Sequence, residues 1–247
     1  MSVLTRSFIY PHRSQRVVPL SAWKLAGATA LASALMAFVW IFGTQLIEAH
    51  NEIVLRLCRQ IHLVEAHPEI TSEFGRVIEI ITVPSNPNPL TLRSTTSAVV
   101  FLLVIGLIAR RFPLARGLMT FLVVIVVFSV IGALAGAPAL ANVTRFAAAW
   151  VDTEFLVWLL LPAATMCLFV VLQPSLARGA LWMVGIEAFA VVWSAVRFVV
   201  LLGVGHYAGV ILLPLVWFAW GLLTDVVSLI AFYSWSIHVT LALSKGR

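Results

Sequence analysis

The chain reads as an all-α, polytopic membrane bundle of about six transmembrane helices with both termini on the same, cytoplasmic side. Three observations predict it. Apolar residues make up 62% of the 247 positions and charged residues 11%, against about 45–50% and about 25% in soluble domains. The mean hydropathy is +1.04. Basic residues cluster in alternate connections between the apolar runs, the pattern that orients helices in a membrane.

Residues 1–19 carry Arg6, Arg13 and Arg16 and no acid, so they are expected in the cytoplasm. Residues 20–243 read as one membrane domain. Its first helix spans about 20–47, with Trp23 and Trp40 near the two ends as interfacial anchors. That run is longer than the apolar core of a signal peptide, about 7–15 residues, and is expected to stay as an anchor.

An outer loop over 48–90 follows. Ile53, Leu57, Ile61 and Val64 recur at helical spacing, as do Ile70, Phe74, Val77, Ile78 and Ile81, which predicts two short amphipathic helices. Pro84, Pro87 and Pro89 end the second, since proline neither donates to a helix nor continues one. The remaining helices are predicted at about 91–109, 118–140, 155–172, 181–203 and 210–233. Arg110, Arg111 and Arg116 mark one inner turn, Arg178 another, and Lys245 with Arg247 the inner C-terminus.

The formal charge of +6 does not read as a nucleic-acid surface, because the cations flank apolar segments without interleaved aromatics. The expected partner is membrane lipid. His50, Glu52, His62, Glu65, His67 and Glu69 supply nitrogen and oxygen donors, but no two of these histidines share a helix face at i, i+4. No metal and no cofactor is expected. Cys58 in the loop and Cys167 in an apolar helix lie at different depths, which argues against a disulfide.

Charges inside apolar helices mark candidate sites, since each costs about 2.5–3.5 kcal/mol to insert unless it is paired. Arg197, about six residues from the outer end of the fifth helix, is the foremost. Asp152 and Glu154, at the start of the fourth helix, and His206, in the outer turn, are expected at a similar level. Two roles fit Arg197: pairing with Asp152 or Glu154 to hold helices together, or stabilising negative charge on a substrate. Glu187 and Asp225 come out at a comparable inner depth and are expected to form an acidic pair, of the kind a proton-coupled carrier would use.

The run Val192-Trp193-Ser194-Ala195-Val196-Arg197-Phe198, continuing to Gly205-His206-Tyr207, together with Leu215-Val216-Trp217-Phe218-Ala219-Trp220-Gly221-Leu222, resembles the exosortase/archaeosortase family. The resemblance covers about a quarter of the chain and implies a multi-pass protein that cuts and transfers C-terminal anchors of exported proteins at the outer face. It implies Arg197 as oxyanion or carboxylate ligand and His206 as proton shuttle. Cys167 would be the nucleophile, being the only thiol in an apolar helix. Ser194 stands where the family has asparagine, and the family histidine position aligns on Trp217, so a divergent or inactive member is the other outcome. A structural subunit of a membrane complex and a small carrier using Glu187 and Asp225 remain as further readings.

Overall fold

The computed structural model describes residues 22–63, 65–73, 76–84, 91–112, 116–137, 142–166, 173 and 175–245. The helices α1 (Ala22–Ile41), α2 (Gly43–Gln60), α3 (Leu92–Arg111), α4 (Arg116–Leu134), α5 (Val143–Thr165) and α6 (Leu176–Ala208) are followed by a composite last pass. That pass opens with a 3-10 turn over Val210–Leu212. It continues through α7 (Leu213–Val216) and a π-helical stretch over Trp217–Leu222 into α8 (Leu223–Lys245). Among the described residues, six helical segments are long and apolar enough to cross a membrane, the last being Val210–Val239. The all-α multi-pass reading therefore holds, and lipid contact follows from it.

Local chemistry sets the helix starts. Thr91, Asn142 and Ser175 are extended residues whose side-chain oxygens accept from the backbone amides of Ser94, Arg145 and Arg178, each satisfying a donor that the first helical turn leaves unpaired. These caps move two boundaries. α5 begins at Val143 rather than near 155, and α6 runs from Leu176 to Ala208 rather than 181–203. At about 1.5 Å per residue α6 is about 50 Å long, well beyond the ~30 Å hydrocarbon core.

The loop over 48–90 departs from expectation in its second half. The first predicted amphipathic helix is present as α2. The second is replaced by an antiparallel hairpin of β1 (His67–Glu73) and β2 (Arg76–Thr82), with His67 opposite Thr82 and Glu73 opposite Arg76. The sequence there is rich in β-branched residues, and Ile78, Ile80, Ile81, Thr82 and Val83 bury side chains against α2 and α5. That burial favours the strand over a helical reading of the same apolar positions.

α1 and α2 form one nearly continuous column beside α6. Lys24 of α1 donates to the Gln173 carbonyl at one end, and Ala28 and Ala32 pack on Met183. Beyond Phe42, α2 packs along α6. Glu48, Glu52, Arg56 and Arg59 form an exposed charged stripe on α2, which places this part of the column outside the hydrocarbon. The main core gathers here, where Val54, Cys58, Ile80, Phe146, Trp150, Trp158, Phe198 and Leu202 interlock α2, the hairpin, α5 and α6.

Candidate functional site

Arg197 is the twenty-second residue of α6 and is completely buried. One terminal nitrogen, Nη2, donates to both carboxylate oxygens of Glu154 on α5, at 3.0 and 2.8 Å. The other, Nη1, lies 2.6 Å from Asp225 Oδ1 on α8 and donates to the Gly221 carbonyl at 3.0 Å. The guanidinium also sits over the Trp150 ring, 5.9 Å from its centroid. A planar cation with donors at both ends can join two carboxylates in this way, whereas an ammonium is a single compact charge.

The Gly221 carbonyl is available because the backbone around it is π-helical. A π turn shifts the hydrogen-bond register and leaves a carbonyl for other donors, and Thr224 Oγ1 shares it at 2.9 Å. The packing is close at this point: a Cβ on Gly221 would lie 3.1 Å from Trp150 Cη2 and 3.3 Å from Trp217 Cδ1. Trp217 in turn packs edge-on to Phe146, with centroids 5.9 Å apart.

One turn before Arg197 on α6 lies a contact that the sequence did not signal. His50 Nε2 of α2 is 3.3 Å from Ser194 Oγ, one turn before Arg197 on α6. Both side chains are buried. The imidazole is boxed between the rings of Trp158, at 5.5 Å, and Phe198, at 5.8 Å. Burial pushes its pKa down to about 4, and the nearby Arg197 charge acts in the same direction. His50 is thus held as the neutral imidazole. Residue numbers 144 apart meet here, and no local spacing signals such a pair.

The expected site residues are distributed as follows. Glu154, Arg197 and Asp225 come together. Asp152 lies on α5, two residues before Glu154. His206 lies nine residues beyond Arg197, about 13 Å further along the helix. There its Nδ1 faces Glu65 at 3.6 Å and its carbonyl accepts from Arg93 at 2.9 Å. It does not join the triad. Cys167 lies outside the described residues.

The expected inner pair of Glu187 and Asp225 is corrected. Asp225 is tied to Arg197, ten residues further along α6 than Glu187, and Glu187 is buried with neither carboxyl oxygen hydrogen-bonded. The two acids do not share a level because the last pass is not one regular helix and α6 does not end near 203. The last pass is 3-10, α and π in succession, and α6 continues to Ala208. No group of three or more metal-ligating side chains occurs among the described residues.

The fold and this buried ion triad define the chain as an integral, multi-pass helical membrane protein with an internal polar node. No protein-family model, no curated protein and no solved structure matches it.

Proposed function

We propose that this chain is a non-catalytic structural or accessory subunit of a membrane complex, oriented with both termini in the cytoplasm. The observation that carries this reading is the state of Arg197: fully buried, with its terminal nitrogens directed to Glu154, Asp225 and the Gly221 carbonyl. A guanidinium engaged on both sides by the chain's own carboxylates has its charge neutralised and is not presented to a substrate oxyanion. Its work is to clamp α5, α6 and the last pass together. The surface beyond the hydrocarbon, made by α2 and the hairpin, is then the part offered to a partner.

The test is purification of the intact chain from its own membranes in mild detergent, followed by native mass measurement. A stable assembly with another protein supports the reading, and a clean monomer from membranes cross-linked before extraction overturns it.

The exosortase-like reading is the second. It is favoured by the placement of Ser194 and Arg197 late on α6, facing the head of the last pass through Gly221. In that reading Arg197 would have to exchange a carboxylate for substrate, with Cys167 as thiol and His206 as proton carrier, acting on C-terminally anchored exported proteins. Co-expression with a C-terminally anchored reporter tests it. Cleavage abolished by Cys167→Ala in a chain that still folds would establish it, and cleavage unchanged by Cys167→Ala would remove it.

A further inference from the structure

We propose that the open groove between the far half of α2 and the outer end of α6 is a binding site for a single phospholipid. One acyl chain lies along α6, and Arg93 holds the phosphate.

The groove encloses about 510 Å³ and is lined by Leu57 and Ile61 of α2 and by Val196, Val200, Gly203 and Tyr207 of α6. From Val196 to Ala208 it runs about 18 Å along α6, at ~1.5 Å per residue. Its α6 wall faces outward, with Val200 39% and Tyr207 61% exposed. Gly203 deepens the floor, since no atom lies within 4 Å of the place its Cβ would take.

The shape and lining select a hydrocarbon chain. Aliphatic side chains, one glycine and one aromatic ring offer dispersion contact and little else. In lipid, such packing rather than exclusion of water decides which neighbour is preferred. An extended acyl chain here touches α2 on one side and α6 on the other, and gains more contacts than against a convex helix face. A transmembrane helix, about 10–12 Å across, could rest only an edge in the same space.

The charge that completes the site stands at the outer end. Arg93, at the start of α3, is exposed, and its Nη1 donates to the carbonyl of His206, the residue before Tyr207, at 2.9 Å. Among the described residues no carboxylate pairs with it, which leaves its other donors for an anion. The acid closest to this end, Glu65, faces His206 Nδ1 at 3.6 Å. Arg93 also marks the membrane boundary, because α3 beyond it exposes Val99, Val100 and Leu103. On the other flank α2 carries its charged stripe. The groove therefore straddles the outer boundary, as a molecule with a hydrocarbon tail and an anionic head requires.

The full chain, purified in mild detergent and stripped of lipid, is titrated with dioleoylphosphatidylglycerol and with dioleoylglycerol, which has the same chains and no phosphate. Native mass spectrometry reads the binding, and a diazirine in the acyl chain maps the seat. One saturable phospholipid is expected, cross-linked to residues 57–61 and 196–208. Arg93→Gln should weaken phospholipid binding about five-fold, the share of one arginine beside an anionic headgroup, and leave dioleoylglycerol binding unchanged. Gly203→Leu, which fills the groove without a clash, should abolish binding of both. Val200→Trp fills it from the exposed side and serves should the leucine variant fail to fold. Val99→Trp, on the lipid-facing side of α3, should change nothing. Cross-links spread evenly over the exposed faces of α3 and α4 overturn the proposal, as does equal affinity of the unaltered chain for the two probes. So does binding that survives both groove-filling variants, or a protein captured in intact membranes by a photo-reactive residue in place of Val200.

Discussion

Asp225 of α8 lies 2.6 Å from Arg197 of α6, 28 positions earlier in the chain, and closes an ion triad whose other carboxylate, Glu154, comes from α5. Three transmembrane passes therefore meet at one buried guanidinium. Removing a partner from a buried ion pair costs more than the pair itself contributes, because the remaining charge is left uncompensated.

Arg197→Gln should accordingly lower stability by about 3–5 kcal/mol, the usual range for breaking a buried pair, measured by denaturant unfolding in detergent micelles. Arg197→Lys should recover only part of this, since one ammonium cannot reproduce the two-sided geometry with Glu154, Asp225 and Gly221. Glu154→Gln and Asp225→Asn should be strongly non-additive in the double variant, because both act through the same guanidinium. Additive effects would show that the two carboxylates do not share Arg197.

Glu187 presents the opposite case. Its carboxyl is buried on α6 without a hydrogen-bond partner, and an unsatisfied buried polar group costs about 1–3 kcal/mol. Glu187→Leu should raise the midpoint of thermal unfolding, with Glu187→Gln giving little gain, since the amide also lacks partners. If Glu187→Leu destabilises the bundle instead, the carboxyl has a partner in the membrane, and the carrier reading that employs Glu187 gains ground.

Gly209 joins α6 to the last pass with φ +90°, and a Cβ there would sit 2.6 Å from that of Ser94 on α3. Gly209→Ala should destabilise by more than about 1 kcal/mol, combining backbone strain with a clash. Gly203→Ala is the control, as no atom lies within 4 Å of its added carbon, and should be near neutral in the same unfolding assay.

Much of the fold was legible in the residues. Long apolar runs such as 118–140 have one stable solution in lipid, a helix that satisfies its own backbone, and α4 accordingly appears at Arg116–Leu134. The intramembrane charges were equally legible as a problem needing a partner, and pairing of Arg197 with Glu154 was one of the two roles expected for it. The hairpin at 67–82 was not, because Ile70, Phe74, Val77, Ile78 and Ile81 recur at helical spacing, and it is the burial of Ile78, Ile80 and Ile81 against α2 and α5 that decides for the strand.

Composition, periodicity and the distribution of arginines were thus sufficient to establish a multi-pass helical membrane protein and to single out Arg197, because the cost of charge and of unpaired backbone in hydrocarbon is local to each segment. What Arg197 touches was settled by tertiary structure. The π turn that frees the Gly221 carbonyl, the placement of Asp225 at the level of Arg197, and the reach of His50 across to Ser194 depend on helix ends and crossings. Those are set by contacts between residues far apart in the chain, which no local pattern records.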